Sequence, residues 1–237
     1  MTEAMKELEN RNLEIAKMAK VLSEEKGPLF NLENLSFENK DDCGYSVEFV
    51  GTNSRIDVDK DGVIHAKSGG IKNDNVNQLN EFINTITQMP DTRYKVNDFT
   101  EYCTDSEGRV IKAIAYRTDM NNNSTKILSQ RDTPTQKRVR TDLNGSELEG
   151  YDGGHIFSNS TNGCNNTINQ VPMPSESNKG GEWIKLENQE KKWLNEGKYL
   201  VTKREIIYKE PGSKVVNSII TTNIVDGETM HDVIVNF

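Results

Sequence analysis

The stretch from Tyr151 to Glu187 constrains this 237-residue chain more than any other. It opens as YDGGHIF, crosses a Ser/Asn/Gly-rich loop, resumes as NQVPMP and ends as SESNKGGEWIKLE. Glycine has no Cβ, so Gly153 and Gly154 let the backbone bend tightly and bring His155 up to a ligand without obstruction. Imidazole titrates near neutrality and is the natural group to take a proton from water. An isolated Gly-Gly-His is equally a hydrogen-bonded core or surface histidine, so the weight falls on the residues downstream of it. Asn169 to Met173 reads as strand, and Glu182 to Asn195 as a helix with Trp183, Leu186, Trp193 and Leu194 on its apolar face. Asn178 stands at or just before that helix, placed either to cap it or to face a cation. Glu187 lies one turn beyond Trp183 on the inner side, where an uncompensated carboxylate is costly. Pairing with Lys191 at i,i+4 is one resolution; a hydrogen bond to water held by a metal is the other.

The flanking sequence divides near residues 70–90, giving an N-terminal part, 1–90, and a second part, 91–237. Residues 3–25 read as one helix, with Met5, Leu8, Ile15, Ala19 and Leu22 on a seam that also holds Asn12. That seam permits a short coiled coil with a polar register pin, and hence a homo-oligomer; an ordinary helix lying on its own domain explains it as well. Residues 29–70 are β-rich. Asp57 to Gly62 repeats the first half of a calcium loop but lacks the closing glutamate, so an Asp-Gly hairpin turn suffices. Val76, Leu79, Ile83 and Ile86 share a helical face. From Arg93 the period becomes two: Tyr94–Tyr102 and Arg109–Tyr116 form strands joined through Thr104–Gly108. Gln136-Lys137-Arg138-Val139-Arg140 is the most basic cluster, a solvated loop or a phosphate contact, with Arg138 the first candidate for the latter. After the helix come strands at Tyr199–Thr202, Ile206–Tyr208, Val215–Ile224 and Val233–Val235, an antiparallel sheet able to back the helix.

Net charge is −8, unlike a protein that coats nucleic acid by neutralising phosphates, though a few local cations can still grip a few phosphates. Mean hydropathy is −0.74, and no run of 18 apolar residues exists, so no membrane span is expected. The acidic, amphipathic N-terminus lacks the features of a secretory signal, which leaves a cytoplasmic location or a specialised export route. Three cysteines without metal-type spacing favour free thiols.

The order DGGH, NQVP, SNKGGEWIKLE resembles the DNA/RNA non-specific endonucleases, members of the ββα-metal (His-Me finger) group, over about Thr92 to Phe237. YKVNDFTEYCTDSEGRV and QKRVR are similar to the variant found in polymorphic and type VII-secreted bacterial toxins. The resemblance implies an α+β fold: a ββα-metal core packed on an antiparallel sheet, preceded by an N-terminal helix and a small β-rich region. It implies a Mg²⁺- or Mn²⁺-dependent enzyme that cleaves DNA or RNA phosphodiesters to 5′-phosphates and 3′-hydroxyls. His155 matches the general base, Asn178 the cation ligand, Glu187 the carboxylate on a metal-bound water, and Arg138 an upstream phosphate-binding arginine. Lys179, Lys137 and Arg140 fall where substrate phosphates would be met, while Asp152, Gly154, Asn169 and Trp183 support the site. Gly153 departs from the family's D-R-G-H, where arginine is common. A toxin role follows from the same resemblance, with an inhibitory immunity protein as partner. The acidity and the Gly153 departure would equally suit a catalytically silent nucleic-acid- or protein-binding module on the same scaffold.

Overall fold

The computed structural model describes residues 90–118 except 97–98, Gln136, Val139 and Arg140, residues 147–237 except 162, 165 and 231, and Val63 and His65. It also gives the backbone of four upstream strands: β1 (Leu35–Asn39), β2 (Tyr45–Phe49), β3 (Arg55–Val58) and β4 (Ile64–Lys67). The helices expected at 3–25 and over 76–86, the Asp57–Gly62 turn, and Lys137 and Arg138 lie outside the described residues.

Alternation of buried and exposed residues carries the chain into strands β5 (Arg93–Val96), β6 (Thr100–Thr104) and β7 (Val110–Arg117). The strand expected over Tyr94–Tyr102 is thus two strands, paired antiparallel with Tyr94 opposite Tyr102. Asn97 and Asp98, both turn formers, separate them. Two longer strands, β10 (Leu200–Tyr208) and β11 (Val216–Val225), and two short ones, β12 (Glu228–Thr229) and β13 (Val233–Asn236), follow the helical part. The segments expected at Tyr199–Thr202 and Ile206–Tyr208 prove to be one continuous strand, because Arg204 turns inward between them and keeps the period of two. The main sheet runs β1-β2-β3-β4-β5-β6-β7-β10-β11, with β12 and β13 both pairing with β11. All its pairings are antiparallel except the parallel contact of β4 with β5.

A separate two-stranded ribbon, β8 (Tyr151–His155) with β9 (Gln170–Pro174), precedes two helices, α1 (Ser175–Lys179) and α2 (Gly181–Asn195). Gly181 has φ of +68°, a conformation that costs L side chains, and it allows the chain to break between the helices. Helix α2 ends on Gly197, φ +75°, whose N–H reaches the Leu194 carbonyl at 3.1 Å as a left-handed C-cap. Its buried stripe is Trp183, Leu186, Glu190 and Leu194, spaced for one helical face. Trp183 and Leu186 pack with Ile156, Phe157, Val171 and Met173 of the ribbon segment and with Tyr102, Ile206 and Ile219 of the sheet in one core. The ribbon and α2 are therefore held on the sheet by a shared apolar layer, while Leu194, Leu200 and Val225 make a second, smaller cluster at the far end of α2.

Candidate active site

The ribbon pairs without a bulge: Asp152 opposite Met173, Gly153 opposite Pro172, Gly154 opposite Val171 and His155 opposite Gln170. Side chains alternate along a strand, so Gly153 and His155 share one face of the ribbon and Asp152 and Gly154 the other.

On the second face Asp152 organises three groups from α1. Lys179 Nζ lies 2.8 Å from its Oδ2. Partial burial pushes the Asp152 carboxyl up, but the Lys179 ammonium and hydrogen bonds from the Ser175 and Asn178 side chains outweigh it and hold it below the usual carboxylate range. The Asn178 carbonyl oxygen lies on this same face. It stands 3.0 Å from where a Cβ on Gly154 would be, beside the strand residue that precedes His155. The same Cβ would lie 2.3 Å from Met173 Sδ, so the bare Gly154 is what lets both side chains close in. Asn178 sits in α1 rather than capping the long helix, whose N-cap is Gly180 without a side-chain cap.

His155 is half-buried at the end of β8, and the chain after it is braced. Asn169 is fully buried, and its amide oxygen accepts the Phe157 N–H at 2.8 Å. Its amide nitrogen donates to the Phe157 and Cys164 carbonyls at 2.8 and 2.7 Å, and its own carbonyl accepts the Ile156 N–H at 2.7 Å. Asn169 thus fixes the two residues that follow His155.

Glu187 projects from α2 one turn beyond Trp183, half-buried. Burial pushes its carboxyl up to about 7; Arg204 opposes the rise, Glu190 adds to it, and Trp183 and Arg117 oppose it more weakly. Lys191 is exposed, and no Glu187–Lys191 ion pair forms among the described residues. Raised in this way, the carboxyl gains and loses its proton near neutrality. No three His, Cys, Asp or Glu side chains converge among the described residues.

Sequence reasoning missed the layer beneath α2. Glu190 has no exposed surface; its Oε1 accepts from Arg204 Nη2 at 2.6 Å and its Oε2 from Arg117 Nη2 at 3.0 Å. Arg117 also reaches Thr161 Oγ1 at 2.8 Å and bonds Thr202, whose hydroxyl donates to Asn223 at 2.8 Å. The Arg204 guanidinium lies 4.5 Å over the Trp183 ring and 5.1 Å over Phe157, contacts that favour a desolvated cation. The signal was present: Thr202, Arg204 and Ile206 alternate, which places Arg204 on the inner face with Ile206.

Of the basic cluster, Arg140 is held by Glu147 at 3.0 Å, and Gln136 reaches the first face of the ribbon. A Cβ on Gly153 would stand 2.7 Å from the Gln136 carbonyl oxygen, so the arginine common at this point of the D-R-G-H pattern has no room in this chain.

Solved structures that align with the chain include two of one nuclease. NucA from Streptococcus agalactiae with no metal bound aligns at 16% identity and a TM-score of 0.40, over 58% of this chain and 70% of that one. The same nuclease with magnesium bound aligns at 15% identity and a TM-score of 0.39, over 86% of this chain and 83% of that one. No curated protein matches the chain significantly. A family model of the DNA/RNA non-specific endonucleases matches residues 90–226, more than half of the chain and the whole of the ribbon, both helices, and strands β5–β7, β10 and β11. The chain belongs to the DNA/RNA non-specific endonuclease family.

Proposed function

We propose that this endonuclease is metal-dependent and indifferent to sequence, with its activity carried by residues 91–237 and His155 as general base. What supports the reading is the Asn178 carbonyl oxygen close to Gly154, the residue before His155 in β8, on the ribbon face opposite the imidazole. Ribbon, α1 and α2 form the ββα unit of this proposal. Mg²⁺ or Mn²⁺ suits it, since a hard cation accepts one amide oxygen together with water and phosphate oxygens. When bound, such a cation neutralises charge that builds on the phosphate and on the leaving 3′ oxygen. His155 Nδ1 or Nε2 takes the proton from the attacking water, and the residues after it, pinned by Asn169, keep the ring in register. Glu187 accepts hydrogen bonds from water in the site, a role that needs its ionised form. Trp183, one turn before Glu187, anchors α2 in the core. Lys137 and Arg138, together with Lys179 and Arg140 once they exchange their ion pairs with Asp152 and Glu147, are the cations that would meet substrate phosphates, and contacts to backbone rather than base edges leave sequence unread.

Service as an antibacterial toxin, held in check by an immunity protein and exported by a specialised route, rests on the sequence resemblance of residues 92–237. Association through the N-terminal segment is a further part of that proposal. Among the described residues no helix is long and apolar enough to cross a membrane.

The test is cleavage of supercoiled plasmid and of structured RNA in Mg²⁺ and in Mn²⁺, repeated with chelator and with His155→Ala. Cleavage abolished by both treatments is expected. Nucleic acid left intact by the unaltered protein under every divalent cation would turn the reading toward a silent binding module.

A further inference from the structure

Arg204 is buried under α2 and touches that helix on either side of Glu187. Its guanidinium, a group that proteins do not deprotonate, lies 4.5 Å over the Trp183 ring, and its Nη2 donates to Glu190 Oε1 at 2.6 Å. Trp183 stands four residues before Glu187 and Glu190 three after it, so the three share one side of α2. A single planar group in contact with both flanking residues therefore underlies the turn that carries Glu187. Arg204 Nε and Nη1 are buried and have no hydrogen-bond partner among the described residues. Donors in that condition are costly, and a carboxylate close by lessens the cost.

The rest of the buried layer holds this guanidinium in place. Glu190 Oε2 accepts from Arg117 Nη2 at 3.0 Å, and Arg117 Nη1 donates to Thr161 Oγ1 at 2.8 Å. Thr161 in turn donates to the Ser158 carbonyl at 3.0 Å, three residues beyond His155. The Phe157 ring lies 5.1 Å from the Arg204 guanidinium and 5.5 Å from that of Arg117. One layer thus joins the loop after the proposed base to the helix that bears the proposed water acceptor. The charged groups felt at Glu187 are Arg204 of β10, Arg117 of β7 and Glu190 of α2 itself. Lys179 of α1 is engaged with Asp152, and the helical turn Asn159–Thr161 that packs on α2 brings no charge. Burial pushes the Glu187 carboxyl up to about 7; Arg204 is the strongest influence against the rise, and Glu190 works the other way.

We propose that Arg204 is a positioning residue for the cleavage reaction: a fixed cation beneath α2 that keeps Glu187 in the form that accepts hydrogen bonds from water. Buried as it is, Arg204 meets no substrate and acts through Glu187. Glu190 and Arg117 share the same layer and set how much of the Arg204 charge reaches Glu187. This inference rests on the nuclease reading, in which Glu187 is an acceptor, and deepens it by naming the group that maintains that state.

Two substitutions in the full chain pull in opposite directions. Arg204→Met leaves Glu190 paired with Arg117, one anion to one cation, and takes the nearest positive charge from Glu187. Glu190→Gln removes the neighbouring anion and leaves both guanidiniums. Glu187 is titrated in the metal-free protein by carboxyl ¹³C NMR, its signal assigned with Glu187→Gln. Arg204→Met is expected to raise the titration midpoint by about one pH unit or more, Glu190→Gln to lower it by about as much, and Arg204→Lys, which keeps the charge, to restore it. Loosened packing would move both of the first two variants the same way. Plasmid cleavage in Mg²⁺ is followed across the same pH range. The acid limb of kcat is expected to move with each midpoint while KM stays within about twofold, and in a Glu187→Gln background neither change moves the limb that His155 leaves. Should Arg204→Met fail to melt cooperatively, the downward shift in Glu190→Gln decides the matter. A midpoint unmoved in the variants, or moved the same way by both, overturns this inference alone. Unaltered protein that cleaves no nucleic acid in Mg²⁺ or Mn²⁺ overturns the nuclease reading, and the role of Arg204 falls with it whatever the midpoints.

Discussion

At the scale of single residues, the site is built by groups that fix one another's protonation and orientation. Asp152 is the clearest case, its carboxyl held below the usual range by the Lys179 ammonium and by its neighbours on α1, the Asn178 amide among them. Asp152→Ala frees that amide and the Lys179 ammonium together. Partners of this kind cost 10–100-fold in metal affinity when removed, and isothermal titration with Mn²⁺ is expected to show a weakening of about that size with little loss of thermal stability. Glu187 makes a prediction about pH. Its carboxyl, ordinary in the unfolded chain, is raised to about 7 in the fold, so between those two values the folded state holds more protons than the unfolded one. Stability of the metal-free protein therefore declines as pH rises from about 5 to about 7 through this group. Urea unfolding across that range is expected to show the decline, and Glu187→Gln to flatten it; an unchanged slope in the variant would deny Glu187 its burial. The order and spacing of His155, Asn178 and Glu187 are local, so the sequence nominates them as a set. The closeness of Asp152 to α1 was not legible, because α1 had to form as a separate helix before residues 175–179 could turn back to β8.

Among the elements, α2 links the candidate site to the sheet by an unusual means for a buried face. Three apolar residues of its stripe were readable from periodicity, whereas the fourth position, Glu190, is a carboxylate shared by Arg117 of β7 and Arg204 of β10. A charged residue reads as surface in a periodicity argument, and its partners lie 73 and 14 residues away in the chain. The triad, two guanidiniums and one carboxylate, carries a net positive charge under the helix, one turn from Glu187. Removing one member of a buried ion network leaves the others unpaired at about 3–5 kcal/mol. Glu190→Gln is accordingly expected to lower the urea midpoint strongly, with Arg117→Met and Glu190→Gln together costing less than the sum of the two. Additive losses would show that the triad does not act as one network. The sheet strands follow the same logic: β10 reads as two pieces because Lys203, Arg204 and Glu205 interrupt the apolar run, although the inward alternation continues through Arg204.

For the whole molecule, the pairing of β4 with β5 carries the upstream strands into the same sheet as the endonuclease part. A fragment of residues 91–237 keeps the ribbon, α1 and α2 and is expected to cleave nucleic acid, but it uncovers the edge of β5. Unprotected edges pair with other chains, so light scattering is expected to find the fragment self-associated where the full chain, at equal concentration, is not. A fragment as monodisperse as the full chain would show that the β4 contact protects nothing. The central claim concerns His155 and Asn178, which reach the ribbon at adjacent residues and are held to serve one reaction. Groups that act as a unit lose activity non-additively. Rates of plasmid cleavage at saturating Mg²⁺ for His155→Ala, Asn178→Ala and the double variant measure this directly. Each single change is expected to cost about 10²–10⁴-fold in kcat, and the double variant no more than the worse of the two. Losses that multiply in the double variant would contradict a shared site.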